Sequence, residues 1–509
     1  MPSNDAITIR ETNEIGEPTA TYIYSATTES LQPRIPDSPE GAAFHRQRRR
    51  VDVVRPSRKE SPSYLTSLLI VFLPAGYPHS VSDDYMDLLF LALENDRKYK
   101  DSLQAFSSSI AGLLASRAVL QGVGVGDASA SPTVALLHSV LQESIGRIAT
   151  ILFAHRLGTS LEPECKLYRF AADVLNDSAM VVDCLSPAFP KHLRVVLLTF
   201  SSILRALCGV AAGSSKASLS SHFAKWGNLG ELNAKDSSQE TVISLMGMLC
   251  GSLVVSHIST PLTTGLALIF LLLIHLSTNY AAVRAVNMTT LNRQRANIVF
   301  STLFEEGRAL TPKQTSKCER IFERDGILRW KASSTTLGFC RIGNSFQELL
   351  CGSNGSYRAN SIRDAPIDIP RLLRLFEKEE YILWFNPVSR RGTIVLKNDV
   401  RPVSQLKAWS HALLVAKHLT KTTEDAEKNN NSPIKKGEVK LERQDRKKNY
   451  KDTAADVTNP DTMLSILEST LQTHSMNFAD QISRLKDAGW DIDTPSLETT
   501  AGRRLEVVG

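Results

Sequence analysis

TVISLMGMLCGSLVVSHISTPLTTGLALIFLLLIHLSTNYAAV, residues 241–283, holds no Lys, Arg, Asp or Glu in a chain where 22% of residues are charged. About nine charges would fall in such a length by chance, so their absence needs a physical cause, and an apolar surround is the simplest one. As a single helix the stretch would reach about 64 Å, roughly twice the hydrocarbon thickness of a bilayer. Two helices fit better. Pro261 and Gly265 in HISTPLTTG interrupt the pattern and predict helices over 242–258 and 262–280. The second carries ten Leu, Ile or Phe residues, a few kcal/mol in favour of insertion, against which His275, Asn279 and the threonines count. Lys225 and Lys235 precede the pair, Arg284, Arg293 and Arg295 follow it, and the turn is uncharged. That asymmetry predicts a membrane hairpin with both ends on the cytoplasmic side or its equivalent; the alternative is a hairpin buried in a large soluble core.

The rest of the composition narrows the class. With 509 residues and 42% hydrophobic content the chain has room for two or three domains. Its 59 basic and 53 acidic residues leave a formal charge of only +6, which provides no footprint for nucleic acid. The seven cysteines form no CxxC pair, which argues against a zinc ribbon or a disulfide framework and for thiols in a reducing compartment. The N-terminus reads as neither a signal peptide nor a transit peptide. Residues 1–60 are polar, with prolines and the run Arg46, Arg48, Arg49, Arg50, and are expected to be a disordered tail.

From 61 to 310 the pattern is helical and apolar. Residues 101–120 place Leu103, Phe106, Ile110, Leu113, Leu114 and Leu120 on one broad stripe. Residues 135–157 do the same with Leu137, Leu141, Ile145, Ile148 and Leu152, and add the i,i+4 pair Glu143 and Arg147. Two GxxxG spacings, Gly209 with Gly213 and Gly247 with Gly251, favour close helix packing. The stretch 193–213 is a weaker span, because Arg205 at a bilayer centre costs about 2.5–3.5 kcal/mol unless it is paired or faces a polar cavity.

Several polar motifs are candidates for ligand binding or interaction. LQGVGVGDASASPT (120–133) sets Gly122, Gly124 and Gly126 before Asp127, but the spacing is not G-x-G-x-x-G and no strand precedes it, so a helix break is the better reading. ADVLND puts Asp173 and Asp177 one turn apart, with Asn176 beside them; they could hold a cation, though a solvated face is the simpler expectation. The segment 222–240 contributes His222, Lys225, Asn228, Lys235, Asp236, Gln239 and Glu240, which could line a polar pocket or a partner surface. Ser237 with Glu240 reads as a capping box opening a helix at 238. No metal-ligand spacing, nucleophile elbow, HExxH or Walker lysine is present, so no catalytic residue, metal or cofactor is predicted and any small-molecule ligand stays unidentified.

LPAGYPHSV (73–81), DSLQAFSSSIAGLLASRAVLQGVGVGDASASPT, ADVLND, LCGVAAGSSKASLSSHFAKWGNLGELNAKDSSQET and NYAAVRAVNMTTLNRQRA occur in order, and together they resemble the root UVB sensitive family over residues 64–310. GWDID (489–493) resembles that family's C-terminal domain. The stretch 86–98 interrupts the family pattern, as either an insertion or a gene-model error would. The resemblance implies links to ultraviolet-B responses, development, auxin transport and vitamin B6 homeostasis, membrane association, and complexes with paralogues or further copies. It supplies no catalytic residues, and without a transit peptide a plastid location does not carry over.

Towards the C-terminus, YILWFN (381–386) and GTIVLKN (392–398) read as two strands around an arginine-containing turn, followed by a helix with Leu406, Trp409, Leu413 and Leu414 inward. A charged linker over 421–460 and an amphipathic helix over 461–487 complete the chain. The expected fold is mainly α: a membrane-embedded helical bundle (61–310) with a small α+β module (311–420), acting as an interaction or transport-related protein. The rival classes are a soluble ligand-binding enzyme built on 222–240 and a peripheral scaffold.

Overall fold

The computed structural model describes residues 7–12, 18–30, 45–54, 80–82, 100–123, 132–225, 227–333, 335–351, 357–358, 361–362, 367–431, 459–500 and 502–506. Asp127 with Gly124 and Gly126, the motif at 73–79, the stretch 86–98 and the linker beyond 431 lie outside them. The chain divides into two compact units, one of residues 1–83 with 223–241, the other of 84–222 with 242–509.

In the first unit β1 (Ile7–Thr12), β2 (Pro18–Ser30) and β3 (His45–Val54) form an antiparallel sheet in that order, with Tyr24 opposite both Ile7 and Val51. This corrects the expectation of a disordered tail over 1–60. The polar composition hides stretches such as TATYIY and VDVV, whose β-branched and aromatic residues favour extended pairing. Residues 80–82 pair with 223–225 through a bridge between Val81 and Ala224.

The second unit opens as a helical bundle. Its helices are α1 (Lys100–Val123), α2 (Pro132–Leu157), α3 (Cys165–Leu185) and α6 (Pro261–Ala285), together with most of α4 (Lys191–Phe223) and the later part of α5 (Leu229–His257). The Pro261 break is where the sequence places it: Thr260 caps α6 by accepting from the Thr263 N–H, and Pro261 takes the first helical position, where a missing N–H costs nothing. The proposed cap at Ser237 is corrected. Helix α5 already begins at Leu229, so Ser237 is interior, and the Ser238 and Thr241 hydroxyls donate back to the Ala234 and Ser237 carbonyls instead of capping.

Helices α1, α3 and α6 share a small core of Ala111, Ala115, Met180, Leu268 and Leu272. Gly247 and Gly251 of α5 lie against α1: a Cβ on the first would come within 2.7 Å of the Ser109 side chain, and one on the second within 2.7 Å of Leu113. Gly209 and Gly213 meet nothing within 4 Å. Arg117 of α1 donates to the Val255 carbonyl at 2.9 Å and to that of Ile258, satisfying carbonyls left open at the end of α5. Arg205 is ion-paired with the buried Asp183 of α3, the arrangement its place in an apolar helix requires.

The outside of the bundle is apolar. Leu137, Leu141, Ile148 and Leu152 of α2 point outward together with Leu245, Leu249 and Leu253 of α5 and Leu262, Phe270 and Leu273 of α6. Four helices are long and apolar enough to cross a membrane by length and composition: Leu103–Gly122, Lys191–Phe223, Leu229–His257 and Pro261–Ala285.

The chain then builds an α+β region. Helix α7 (Arg293–Glu306) is capped by Asn292 and ends at Gly307 in the left-handed conformation; α8 (Pro312–Ser316) carries a full capping box of Thr311 and Gln314. In the mixed sheet, β9 (Arg391–Lys397) is central. β8 (Tyr381–Asn386) lies antiparallel on one side, while β5 (Thr336–Ile342) and the short β10 (Arg504–Leu505) lie parallel on the other; β4 (Ile327–Arg329) closes the β5 edge. The expected strand pair and its turn at Arg390 are present. Helix α9 (Phe346–Cys351), the pair β6 (Tyr357–Arg358) and β7 (Ser361–Ile362), and α10 (Ile369–Leu375) are the smaller elements. Helices α11 (Pro402–Asn431) and α12 (Pro460–Asp487) pack with the sheet around Trp409, Leu413, Leu467, Tyr381 and Ile394. Phe300 and Leu303 of α7 join this core, so the sequence boundary at 310 falls after a helix that belongs to the C-terminal core, and α12 is part of that core as well.

Candidate functional site

Helix α3 carries polar residues on its inner face. Asp173 and Asp177, four residues apart, both point into the bundle, and α6 meets them with His275 and Asn279 at the same spacing. All four are at most 7% exposed. Asp173 Oδ2 accepts from Asn279 Nδ2 and from Gln104 Nε2 of α1, while Arg169 Nη1 donates to Oδ1 at 3.1 Å. The His275 ring stands between the two carboxylates, Nδ1 2.9 Å from Asp177 Oδ2 and Nε2 3.7 Å from Asp173 Oδ2. Asp177 Oδ1 is buried without a hydrogen-bond partner. A cavity of about 40 Å³ adjoins the cluster, lined in part by Arg169, Asn279 and Leu219.

Two carboxylates, an imidazole and a guanidinium give such a site both hydrogen-bond donors and acceptors. Among the described residues no group of three or more His, Cys, Asp or Glu side chains is arranged to hold a metal ion. The expectation of a solvated face at Asp173 and Asp177 is corrected: their carboxylates are buried because α6 supplies matched partners. Asn176 is half-buried and joins none of these bonds.

The other sequence candidates are elsewhere. Lys225, Asn228, Lys235, Asp236, Gln239 and Glu240 belong to the first unit, and His222 ends the α4 portion of the second. All but Asn228 make polar contacts of their own, and the Asn228 amide is buried without a hydrogen bond. Sequence reading missed Gln104, Arg169, His275 and Asn279 as site residues. The available signal was the repeat of one i,i+4 polar spacing on two apolar helices.

A second polar assembly, also missed, joins the bundle to the C-terminal core. Glu319 is buried between Lys166 of α3 and Arg295 of α7, the latter at 2.8 Å. Burial alone would raise the Glu319 pKa, but the two cations outweigh it and hold the carboxyl below its usual value. Arg293 is buried against Asp325, the Leu497 carbonyl at 2.8 Å and the Thr499 hydroxyl, and burial lowers its pKa. These arginines stand in NRQRA, where their charge made them look like membrane-flanking residues.

Residues 58–307 match the family model described as a vitamin B6 photo-protection and homoeostasis domain, and residues 357–503 match the root UVB sensitive protein C-terminal model. RUS family member 1 of Dictyostelium discoideum is 39% identical over 267 residues, covering 52% of this chain and 49% of that protein. Protein root UVB sensitive 3 of Arabidopsis thaliana is 31% identical over 362 residues, covering 70% of this chain and 76% of the relative. Protein root UVB sensitive 2, chloroplastic, of the same plant is 24% identical over 376 residues, covering 73% and 78%. The match thus spans about half the length of the Dictyostelium relative. No solved structure matches.

Proposed function

The chain belongs to the root UVB sensitive family, and from that premise we propose that it is an integral membrane protein whose bundle carries a polar solute past the Asp173–His275 cluster. One observation carries the reading: the bundle is apolar outside and ionisable inside. Water around a folded protein favours the reverse arrangement, and ionisable groups kept inside apolar helices are the usual mark of a solute or proton path. The description of the matched domain supports a vitamin B6 compound as the solute. Such compounds carry ring nitrogen and hydroxyl groups that a carboxylate, amide and imidazole set would bind.

Alkaline carbonate extraction tests the membrane step. The wild type is expected in the pellet, and a variant with the exposed residues Leu266, Phe270 and Leu273 all changed to Asp in the supernatant. A wild type released by carbonate returns the soluble and peripheral readings. The transport step is tested by pyridoxine uptake into proteoliposomes, which should exceed that of protein-free vesicles and fall to their level with Asp173→Asn or His275→Gln. Equal uptake in all four preparations removes the transport reading.

A further inference from the structure

A cleft of about 170 Å³ opens where the end of α2, the start of α3, the start of α7 and the turn before β4 meet. Three guanidiniums line it, those of Arg156, Arg293 and Arg324. Arg293 is committed to Asp325, Leu497 and Thr499. The other two are not. Among the described residues neither the Arg156 nor the Arg324 guanidinium has a hydrogen bond or a carboxylate partner, and both side chains are exposed. The Arg324 guanidinium lies 4.8 Å from the centre of the Phe339 ring, a contact that steadies its plane while leaving its N–H groups free.

Three acids also line the cleft, and each is already answered. Glu323 is held by Arg329 at 2.9 Å and Asp325 by Arg293. Glu164 accepts from Asn292 at 3.0 Å, and burial raises its pKa toward the neutral acid. The cleft therefore keeps an unanswered positive charge. The Tyr168 and Ser160 hydroxyls beside it are already answered: Ser160 Oγ donates to the Leu157 carbonyl at 2.7 Å and accepts from the Tyr168 hydroxyl at 2.7 Å. Planar guanidiniums grip tetrahedral oxyanions through paired hydrogen bonds. The volume suits a small group rather than a large ligand.

We propose that this cleft binds the phosphate group of a small phosphate monoester, with the Arg156 and Arg324 guanidiniums as its charge and hydrogen-bonding partners. The phosphate has two possible sources, a free metabolite or an anionic lipid headgroup. The second follows from α2, which exposes Ile148, Ile151 and Leu152 just before Arg156. The site lies outside the Asp173–His275 cluster and stands whether or not that cluster carries a solute.

The test is calorimetric titration of the full chain in phosphatidylcholine nanodiscs, or in buffer if carbonate releases it, with glycerol 3-phosphate and with glycerol as control. Saturable binding of glycerol 3-phosphate alone is expected, weakened about tenfold or more in Arg156→Gln and in Arg324→Gln and partly restored in the Lys variants. Because both arginines are exposed, an unchanged melting temperature should accompany the loss. In nanodiscs that also contain phosphatidic acid, disappearance of the signal identifies the lipid as the source, and an unchanged signal identifies the free ester. No binding in phosphatidylcholine discs, or binding that survives both Gln substitutions, overturns the proposal.

Discussion

Leu152 of α2 and Leu413 of α11 are the same side chain on the same kind of helix, yet the first is 62% exposed and the second fully buried. The difference runs through both regions. In the C-terminal core Leu406, Trp409, Leu467 and Phe376 close around a mixed sheet, while in the bundle the large apolar residues face out and Asp173, Asp177 and His275 face in. An apolar stripe at helical spacing reports only that two faces of a helix differ. Which face turns inward is not written in the stripe itself, and the two regions of this chain turn opposite faces outward.

The largest expected effect belongs to the C-terminal side. Trp409→Ala removes a fully buried ring whose Nε1 donates to Asn297 Oδ1 at 2.9 Å and whose face meets Arg293. It should cost about 3–5 kcal/mol, read as early protease cleavage after residue 290, while the protein still pellets after carbonate extraction. Loss of pelleting would mean that the two regions do not hold their structures separately.

Acid sharpens the contrast next. Burial pushes the His474 imidazole down to about 4, and burial lowers His411 well below its ordinary value. The unfolded chain takes up these protons first, so the stability they hold is complete above about pH 6.5 and is lost as pH falls through about 4. The His474 share is about 3 kcal/mol. Denaturation midpoints of the C-terminal core should fall over that range and flatten in His474→Leu. A midpoint independent of pH between 7 and 4 in the wild type would remove the argument.

A smaller effect separates the two glycine pairs of the bundle. Gly247→Ala or Gly251→Ala forces a Cβ against α1 and should destabilise by about 1–3 kcal/mol, whereas Gly209→Ala and Gly213→Ala meet open space and should not. Melting curves in detergent read the difference; equal shifts at all four positions would mean that close packing against α1 is not what the first pair provides. Smallest of all, Glu143→Ala breaks an exposed 2.6 Å pair with Arg147 and should leave the melting temperature unchanged.

Legibility followed the reach of the physics involved. The Pro261 break and the YILWFN–GTIVLK hairpin were readable because a missing N–H and a period of two act within a few residues. The cap proposed at Ser237 failed because the helix already begins at Leu229, and hydroxyls in that stretch, those of Ser238 and Thr241, bond to carbonyls one turn back. Asp177 and His275 are 98 residues apart, so only the fold could reveal them as partners. Nor could NRQRA disclose that Arg295 would meet Glu319 in a buried triad and not the edge of a bilayer.

The contacts of α1 also fix direction. Phe106 lies beside Gly247, Leu113 beside Gly251 and Arg117 beside Val255, so α1 runs parallel to α5; Gln104 and Asn279 share Asp173, so it runs antiparallel to α6. In a bilayer this is a rule of parity: the segments entering α1 and leaving α6 must emerge on one face, with the Pro261 turn on the other. Reporter groups placed just before Lys100 and just after Ala285 would be labelled from the same side of a sealed vesicle, and one placed at Ser259 from the opposite side.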